Sequence, residues 1–285
     1  MKIGVAGLGK MGQNHLNELR KDGEFEVAAL YDLRQNAEFK EPFYTNLDEF
    51  LRVNLDAVII ASPTSTHLEL AKAILPKVKC ALIEKPLAMN LKQMNEIKEL
   101  AKKHQNSVAV GFSERFNPAI LTLKKELQNE QIISINIQRY SPFPVRISDV
   151  GILQDLSIHD IDLVGFLSGE KCAKQSIVSI QKENRAVEAI ITLQSEQSPL
   201  IATLHQSWNC ALKVRRVSVI CQNAFFEADL NGFSLQKNGS PIELESASPL
   251  FSEHKELLNL AKSGEVGRLA SIQDAINAQA CLECV

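Results

Sequence analysis

A chain of 285 residues with 45% hydrophobic content can bury one large core or two ordinary ones, and two domains suit that length better. Its net charge of −3, with acidic and basic residues intermixed, offers no basic block of the kind that gathers on nucleic acid. No apolar run approaches the ~20 residues of a membrane span, the chain opens on a strand rather than a secretory leader, and six scattered cysteines are too few for a disulfide framework; the expectation is a soluble cytoplasmic protein with reduced thiols.

The first apolar run, Ile3 to Ala6, leads into Gly7-Leu8-Gly9-Lys10-Met11-Gly12. An amphipathic stretch follows from Met11 to Leu19, and Val27 to Tyr31 reads as a second strand that ends at Asp32. Strand, glycine turn, helix, strand and an acidic residue about twenty positions past the third glycine form the pattern of a dinucleotide-binding unit. Gly7 permits the tight turn, Gly9 lets the backbone approach a pyrophosphate, and Gly12 lets helix and strand pack closely. The free N–H groups at the start of the helix then receive the phosphates, beside Lys10 and Met11. Asp32 would accept hydrogen bonds from the adenosine ribose and repel a 2′-phosphate, which favours NAD over NADP; Arg34 is the residue that could still hold a phosphate.

The alternation continues through a strand at Asp56 to Ala61, a helix around His67 to Lys77, a strand at Cys80 to Glu84, a helix around Leu91 to Lys103 and a strand at Val108 to Phe112. Continuous apolar runs such as Ala57-Val58-Ile59-Ile60-Ala61 are expected of parallel strands covered on both faces, so the fold class is α/β with a doubly wound Rossmann sheet. Ligands gather at the carboxyl ends of such strands. Those ends carry Ser62-Pro63-Thr64-Ser65-Thr66-His67, Glu84-Lys85-Pro86 and Ser113-Glu114-Arg115-Phe116-Asn117-Pro118; Ser62, Pro63, Thr64, His67, Glu84, Lys85 and Arg115 are therefore cofactor-binding candidates with the glycine turn.

After Pro118 the rhythm changes, which divides the chain into residues 1–118 and 119–285. A helix at Ala119 to Gln128, a strand at Ile132 to Tyr140, a proline-broken loop and a helix from about Leu153 to Leu167 precede a succession of strands between Ser176 and Leu244. Neighbouring strands of this kind imply an antiparallel or mixed sheet, hence an α+β second domain, closed by helices at Phe251 to Lys262 and Ile272 to Cys284. Cys281 and Cys284 form a C-x-x-C without a second pair or a nearby histidine, so no metal site is expected. The chain stops at Val285 inside this helical pattern, and a clipped terminal helix is expected.

Asp155 and His159 stand four apart in a helical segment and share a face, with Asp162 close to it. A carboxylate beside an imidazole suits a general base that removes a hydroxyl proton as hydride leaves the carbon; the same pair could equally be a structural ion pair on a half-buried helix. Lys85 adds weight to the chemical alternative. Held before Pro86 on a constrained turn, where a cis bond is possible, its ammonium can be aimed at a developing alkoxide.

In this order Gly7-x-Gly9-x-x-Gly12, Pro63-Thr64 with His67, Glu84-Lys85-Pro86 and Asp155-x-x-x-His159 resemble the Gfo/Idh/MocA oxidoreductases over nearly the whole chain. The resemblance implies a Rossmann domain followed by a domain with a large open sheet, a catalytic set of Lys85, Asp155 and His159, and a homodimer or homotetramer built partly on the open face of the second sheet. Gly111 to Pro118, Arg139-Tyr140-Ser141-Pro142 and Asp149-Val150-Gly151-Ile152 resemble more narrowly the branch of UDP-N-acetylglucosamine 3-dehydrogenases, whose ketone product goes to a partner aminotransferase. On that resemblance the substrate is a sugar or nucleotide sugar, touched by Lys85 and His159, with Arg115, Arg139 and Arg146 to hold a diphosphate and Tyr140 to stack. Other outcomes of the same pattern are a dehydrogenase of a free polyol and a non-catalytic sugar- or dinucleotide-sensing regulator.

Overall fold

The computed structural model describes residues 1–35, 38–144, 151–245 and 248–283. The chain divides into two compact units, Met1–Ser113 with Leu250–Ile276, and Glu114–Pro249 with Asn277–Val285. This corrects the simple division at residue 118: the first unit ends five residues earlier and takes back a later segment of the chain.

Unit 1 is built on strands β1 (Lys2–Ala6), β2 (Glu26–Tyr31), β3 (Phe43–Tyr44), β4 (Ala57–Ile60), β5 (Cys80–Glu84) and β6 (Ser107–Gly111), with the short β15 (Ala270–Ser271). Their order is β15-β6-β5-β4-β1-β2-β3, all parallel except β15, which runs antiparallel to β6. The order reverses direction between β1 and β4, the point where a doubly wound sheet opens a crevice for a ligand. Residues of β4 and β5 are buried without exception, as strands covered on both faces must be. Helices α1 (Lys10–Leu19), α2 (Leu47–Phe50), α3 (His67–Ile74), α4 (Leu91–His104) and α7 (Pro249–Ser263) accompany this sheet, α7 from its second residue onward. Asn46 and Asn90 cap α2 and α4 by accepting backbone N–H groups, which fixes where those helices start.

Unit 2 carries an eight-stranded mixed sheet in the order β14-β13-β12-β11-β7-β10-β9-β8. The strands are β7 (Ile132–Tyr140), β8 (Cys172–Lys182), β9 (Arg185–Ser195), β10 (Ile201–Ser207), β11 (Val214–Cys221), β12 (Phe225–Asp229), β13 (Ser234–Lys237) and β14 (Ser240–Ile242). Among the described residues of this sheet, only β7 and β10 pair in parallel. Helices α5 (Pro118–Glu126) and α6 (Ile158–Ser168) belong to this unit, and α8 (Ile272–Glu283) is divided between the two. In β10 the alternation of Ala202, Leu204 and Gln206, buried, with Thr203 and His205, half-buried, shows which face the core lies on. The opposite face leaves Val178, Ile180, Ile190, Ile201 and Ile220 exposed.

The single helix expected from Leu153 to Leu167 is observed as a π-helical turn, Leu153–Ser157, running directly into α6. Cys80 and Cys221 are buried free thiols, and burial pushes Cys80 up to about 12 and Cys221 up to about 11, so both remain protonated core groups. Cys210 is half-buried. Cys284 and Arg146 lie outside the described residues, as do Asp149 and Val150. Among the described residues no helix is long and apolar enough to cross a membrane.

Candidate active site

The glycine turn of unit 1 shows why each position is glycine. Gly7 has φ +95°, and a Cβ there would lie 2.4 Å from the backbone nitrogen of Ser62. A Cβ on Gly12 would come within 1.9 Å of the Gly7 carbonyl oxygen, so α1 could not pack on the turn. Gly9, by contrast, has nothing within 4 Å of the same position: its open side is what a backbone needs to approach a pyrophosphate closely. No side chain caps α1 and no acidic residue occupies its first turn, which leaves the positive end of the helix for an external anion. Lys10 is exposed and Met11 half-buried in that turn. Asp32 Oδ2 accepts the Leu8 N–H at 2.7 Å, tying the glycine turn to the end of β2, while the carboxylate keeps acceptor capacity for a ribose. Arg34 is exposed and donates its backbone N–H to Asp32 Oδ1 at 3.4 Å. These residues fit a dinucleotide.

At the end of β5, Glu84 is buried, Lys85 is half-buried and the Lys85–Pro86 bond is cis. His67, expected to contact the cofactor, has 0% exposure and instead braces the loops that follow β4 and β5. Its Nε2 is 2.9 Å from the Ser62 carbonyl oxygen, and its Nδ1 is 3.1 Å from that of Pro86 and 3.3 Å from that of Leu87. Burial holds the ring below the ordinary histidine range, against the pull of those carbonyls and of Glu84. Glu84, the other cofactor-binding candidate here, turns its Oε1 inward to His15 Nε2 at 2.8 Å. Ser62, Pro63 and Thr64 remain at the surface or half-buried beside them, where Thr66 Oγ1 donates to Ser62 Oγ at 2.7 Å.

In unit 2, Asp155 is half-buried in the π-helical turn and His159 lies in the first turn of α6 with 9% exposure. Such turns recur at functional sites. Two arginines of this region are paired in the interior. Arg115 grips Asp162 with two hydrogen bonds, Nε to Oδ2 at 2.8 Å and Nη2 to Oδ1 at 2.6 Å, and its guanidinium lies 5.0 Å from the centre of the Phe166 ring. Arg139 donates Nε to Asp160 Oδ1 at 2.8 Å and Nη1 to Glu114 Oε1 at 3.1 Å; burial opposes its charge, but Asp160 and Glu114 outweigh burial and hold the guanidinium above its ordinary range. Both arginines, expected to hold a diphosphate, are 6% and 3% exposed and paired with carboxylates of the same unit. Tyr140 lies on the opposite face of β7, where its hydroxyl meets His205 Nδ1 at 3.0 Å and His205 Nε2 meets Glu188 Oε1 at 3.0 Å. Arg215 Nη1 also pairs with Glu114 Oε1, at 2.7 Å.

Sequence reasoning passed over His15, Glu253 and His254 altogether. His15 stands three positions past Gly12, a spacing that could have marked it, but its partner His254 is 239 positions away and carries no local signal.

The sheet order and the glycine turn make unit 1 a Rossmann domain that fits a dinucleotide. Residues 1–112 match the model of the Gfo/Idh/MocA oxidoreductase family, described by its NAD-binding Rossmann fold, so this part of the chain is similar to those oxidoreductases. It is 33% identical over 187 residues to a myo-inositol 2-dehydrogenase of Thermotoga maritima, a match covering 60% of this chain and 56% of that enzyme. It is 25% identical over 284 residues to a UDP-N-acetylglucosamine 3-dehydrogenase of Acidithiobacillus ferrooxidans, covering 98% of this chain and 88% of the other. A crystal structure of that Acidithiobacillus enzyme shares the fold, with a TM-score of 0.89 and 23% identity over 99% of this chain and 96% of its own. The inositol dehydrogenase is thus matched over little more than half its length, the Acidithiobacillus enzyme over most of it.

Proposed function

We propose that this protein is an NAD-dependent dehydrogenase that oxidises a secondary hydroxyl of a nucleotide sugar, the 3-hydroxyl of UDP-N-acetylglucosamine. The observation that carries the activity is the Lys85 turn: a half-buried lysine at the carboxyl end of a parallel strand, in a sheet whose glycine turn fits a dinucleotide. The substrate follows from the relative that matches along 98% of the chain.

NAD, when bound, supplies the hydride acceptor. Gly9 and the first turn of α1 hold its phosphates, and Asp32 takes the ribose hydroxyls and disfavours a 2′-phosphate. Lys85 stabilises the negative charge that develops on the substrate oxygen, His159 takes the hydroxyl proton, and Asp155 supports the protonated imidazole. His67 and Glu84 act behind Lys85 as braces. The exposed isoleucines and Val178 on the open face of the second sheet support a homodimer or homotetramer. A free polyol is the second reading, favoured by the 33% identity to an inositol dehydrogenase.

The test mixes the purified protein with NAD and UDP-N-acetylglucosamine, adds a sugar-nucleotide aminotransferase with glutamate to draw off the ketone, and follows NADH absorbance and product mass. NADH with a 3-amino sugar is the expected result. No turnover with UDP-N-acetylglucosamine but NADH from a free inositol would replace the substrate; NAD binding by calorimetry without turnover on any sugar or polyol would replace the enzyme by a sensor.

A further inference from the structure

We propose that His15 and His254 are positioning residues for Lys85: enclosed in unit 1, they hold the Glu84 carboxylate that anchors the Lys85 turn, with Glu253 beside it as the neutral acid. The proposal rests on the role given to Lys85 above.

His15 links the two sides of the cluster. A carboxylate oxygen accepts, so His15 Nε2, 2.8 Å from Glu84 Oε1, is the donor to that carboxylate. On its other side His15 Nδ1 lies 2.8 Å from His254 Nε2, and one of these two ring nitrogens donates to the other. Glu84 Oε2 in turn accepts the Lys85 backbone N–H at 3.2 Å. A relay from α7 through α1 thus ends on the peptide of the proposed catalytic lysine. Gly111 on β6 makes room for it: a Cβ there would stand 2.7 Å from Glu84 Oε1.

Glu253 closes the cluster. It has 0% exposure, neither of its carboxylate oxygens has a hydrogen-bond partner among the described residues, and its oxygen, Glu84's and a His15 ring nitrogen lie within 4.8 Å of one another. An ionised carboxylate so placed would be buried without compensation beside a second one, whereas a proton removes the charge. Burial first, and then the Glu84 charge, raise Glu253 well above the usual carboxylate range; burial and then His15 lower His254 well below the usual histidine range. The titratable groups around Glu84 are His15, His67, Lys85 and Glu253.

Three readouts test this. Infrared spectra of the wild type should show a protonated-carboxyl C=O band that Glu253→Gln removes; no such band would overturn the neutral acid. Metal analysis of the purified protein should find none bound; a stoichiometric divalent cation would overturn the relay in favour of a His15, Glu84, Glu253 metal centre. His15→Leu should lower kcat about tenfold to a hundredfold with little change in KM and move the pH dependence of Lys85 labelling by an amine-acylating reagent, and His15→Gln, whose amide can still donate to Glu84, should restore both. A His15→Leu protein that only melts earlier, with kcat and Lys85 labelling unmoved, would reduce the cluster to a structural one. Labelling and infrared spectra need no turnover, so they decide this proposal even if the wild type proves inactive and the dehydrogenase reading falls.

Discussion

The glycine turn of unit 1 and the helix α6 of unit 2 each place charged or polar groups, but by different means. In unit 1 the backbone does it: Gly7 and Gly12 leave no space for a Cβ, and His67 holds three carbonyl oxygens. In unit 2 side chains do it, through Arg115 on Asp162 and Arg139 on Asp160 and Glu114. A backbone device is local in sequence and leaves a spacing that can be read. An ion pair joining residues 47 or 21 positions apart leaves none.

The contrast can be broken most forcefully in unit 2. Arg139→Met strands a buried Asp160 and should destabilise the protein by about 3–5 kcal/mol in urea unfolding, whereas Arg139→Met with Asp160→Leu should recover most of that loss. A single variant that costs nothing would show that the pair does not organise unit 2. In unit 1, Gly12→Ala should cost about 1–3 kcal/mol by forcing α1 off the turn, and should weaken NAD binding. Calorimetric NAD affinity equal to wild type would contradict the packing argument. Asp32→Ala should weaken NAD about tenfold and narrow its advantage over NADP; equal affinities in both proteins would remove Asp32 from the ribose site.

The smallest effect is a pH dependence. His254 is held neutral, with its folded-state pKa well below 6.5, so below that pH the unfolded chain binds a proton that the native protein does not. Its contribution to stability is therefore present above about 6.5 and lost as pH falls from there toward the lowered folded-state value. His254→Gln should flatten the decline of unfolding free energy between pH 7 and 5; an unchanged slope would show that other groups set it.

The parallel sheet of unit 1 was legible because its strands, buried on both faces, are unbroken apolar runs, and the antiparallel strands of unit 2 because half-burial imposes alternation. β15 was not: Ala270 and Ser271 are two residues that gain their place only by pairing with Val110 and Ala109, far away in the chain. The π-helical turn at Leu153–Ser157 was invisible because its apolar pattern is that of an α-helix. For the site, motifs gave position but not burial. His67, Glu84, Arg115 and Arg139 were each singled out, and each proves to be turned inward on a carbonyl, a histidine or a carboxylate, a fact that depends on neighbours no spacing records.

The most direct test of the account compares NADH formation from NAD and UDP-N-acetylglucosamine by the wild type, Lys85→Met and His159→Ala, with NAD affinity measured for each. The account predicts turnover in the wild type and a loss of kcat of about 10²–10⁴-fold in each variant with NAD binding retained. Turnover undiminished in both variants would contradict the assignment of Lys85 and His159 to the chemistry.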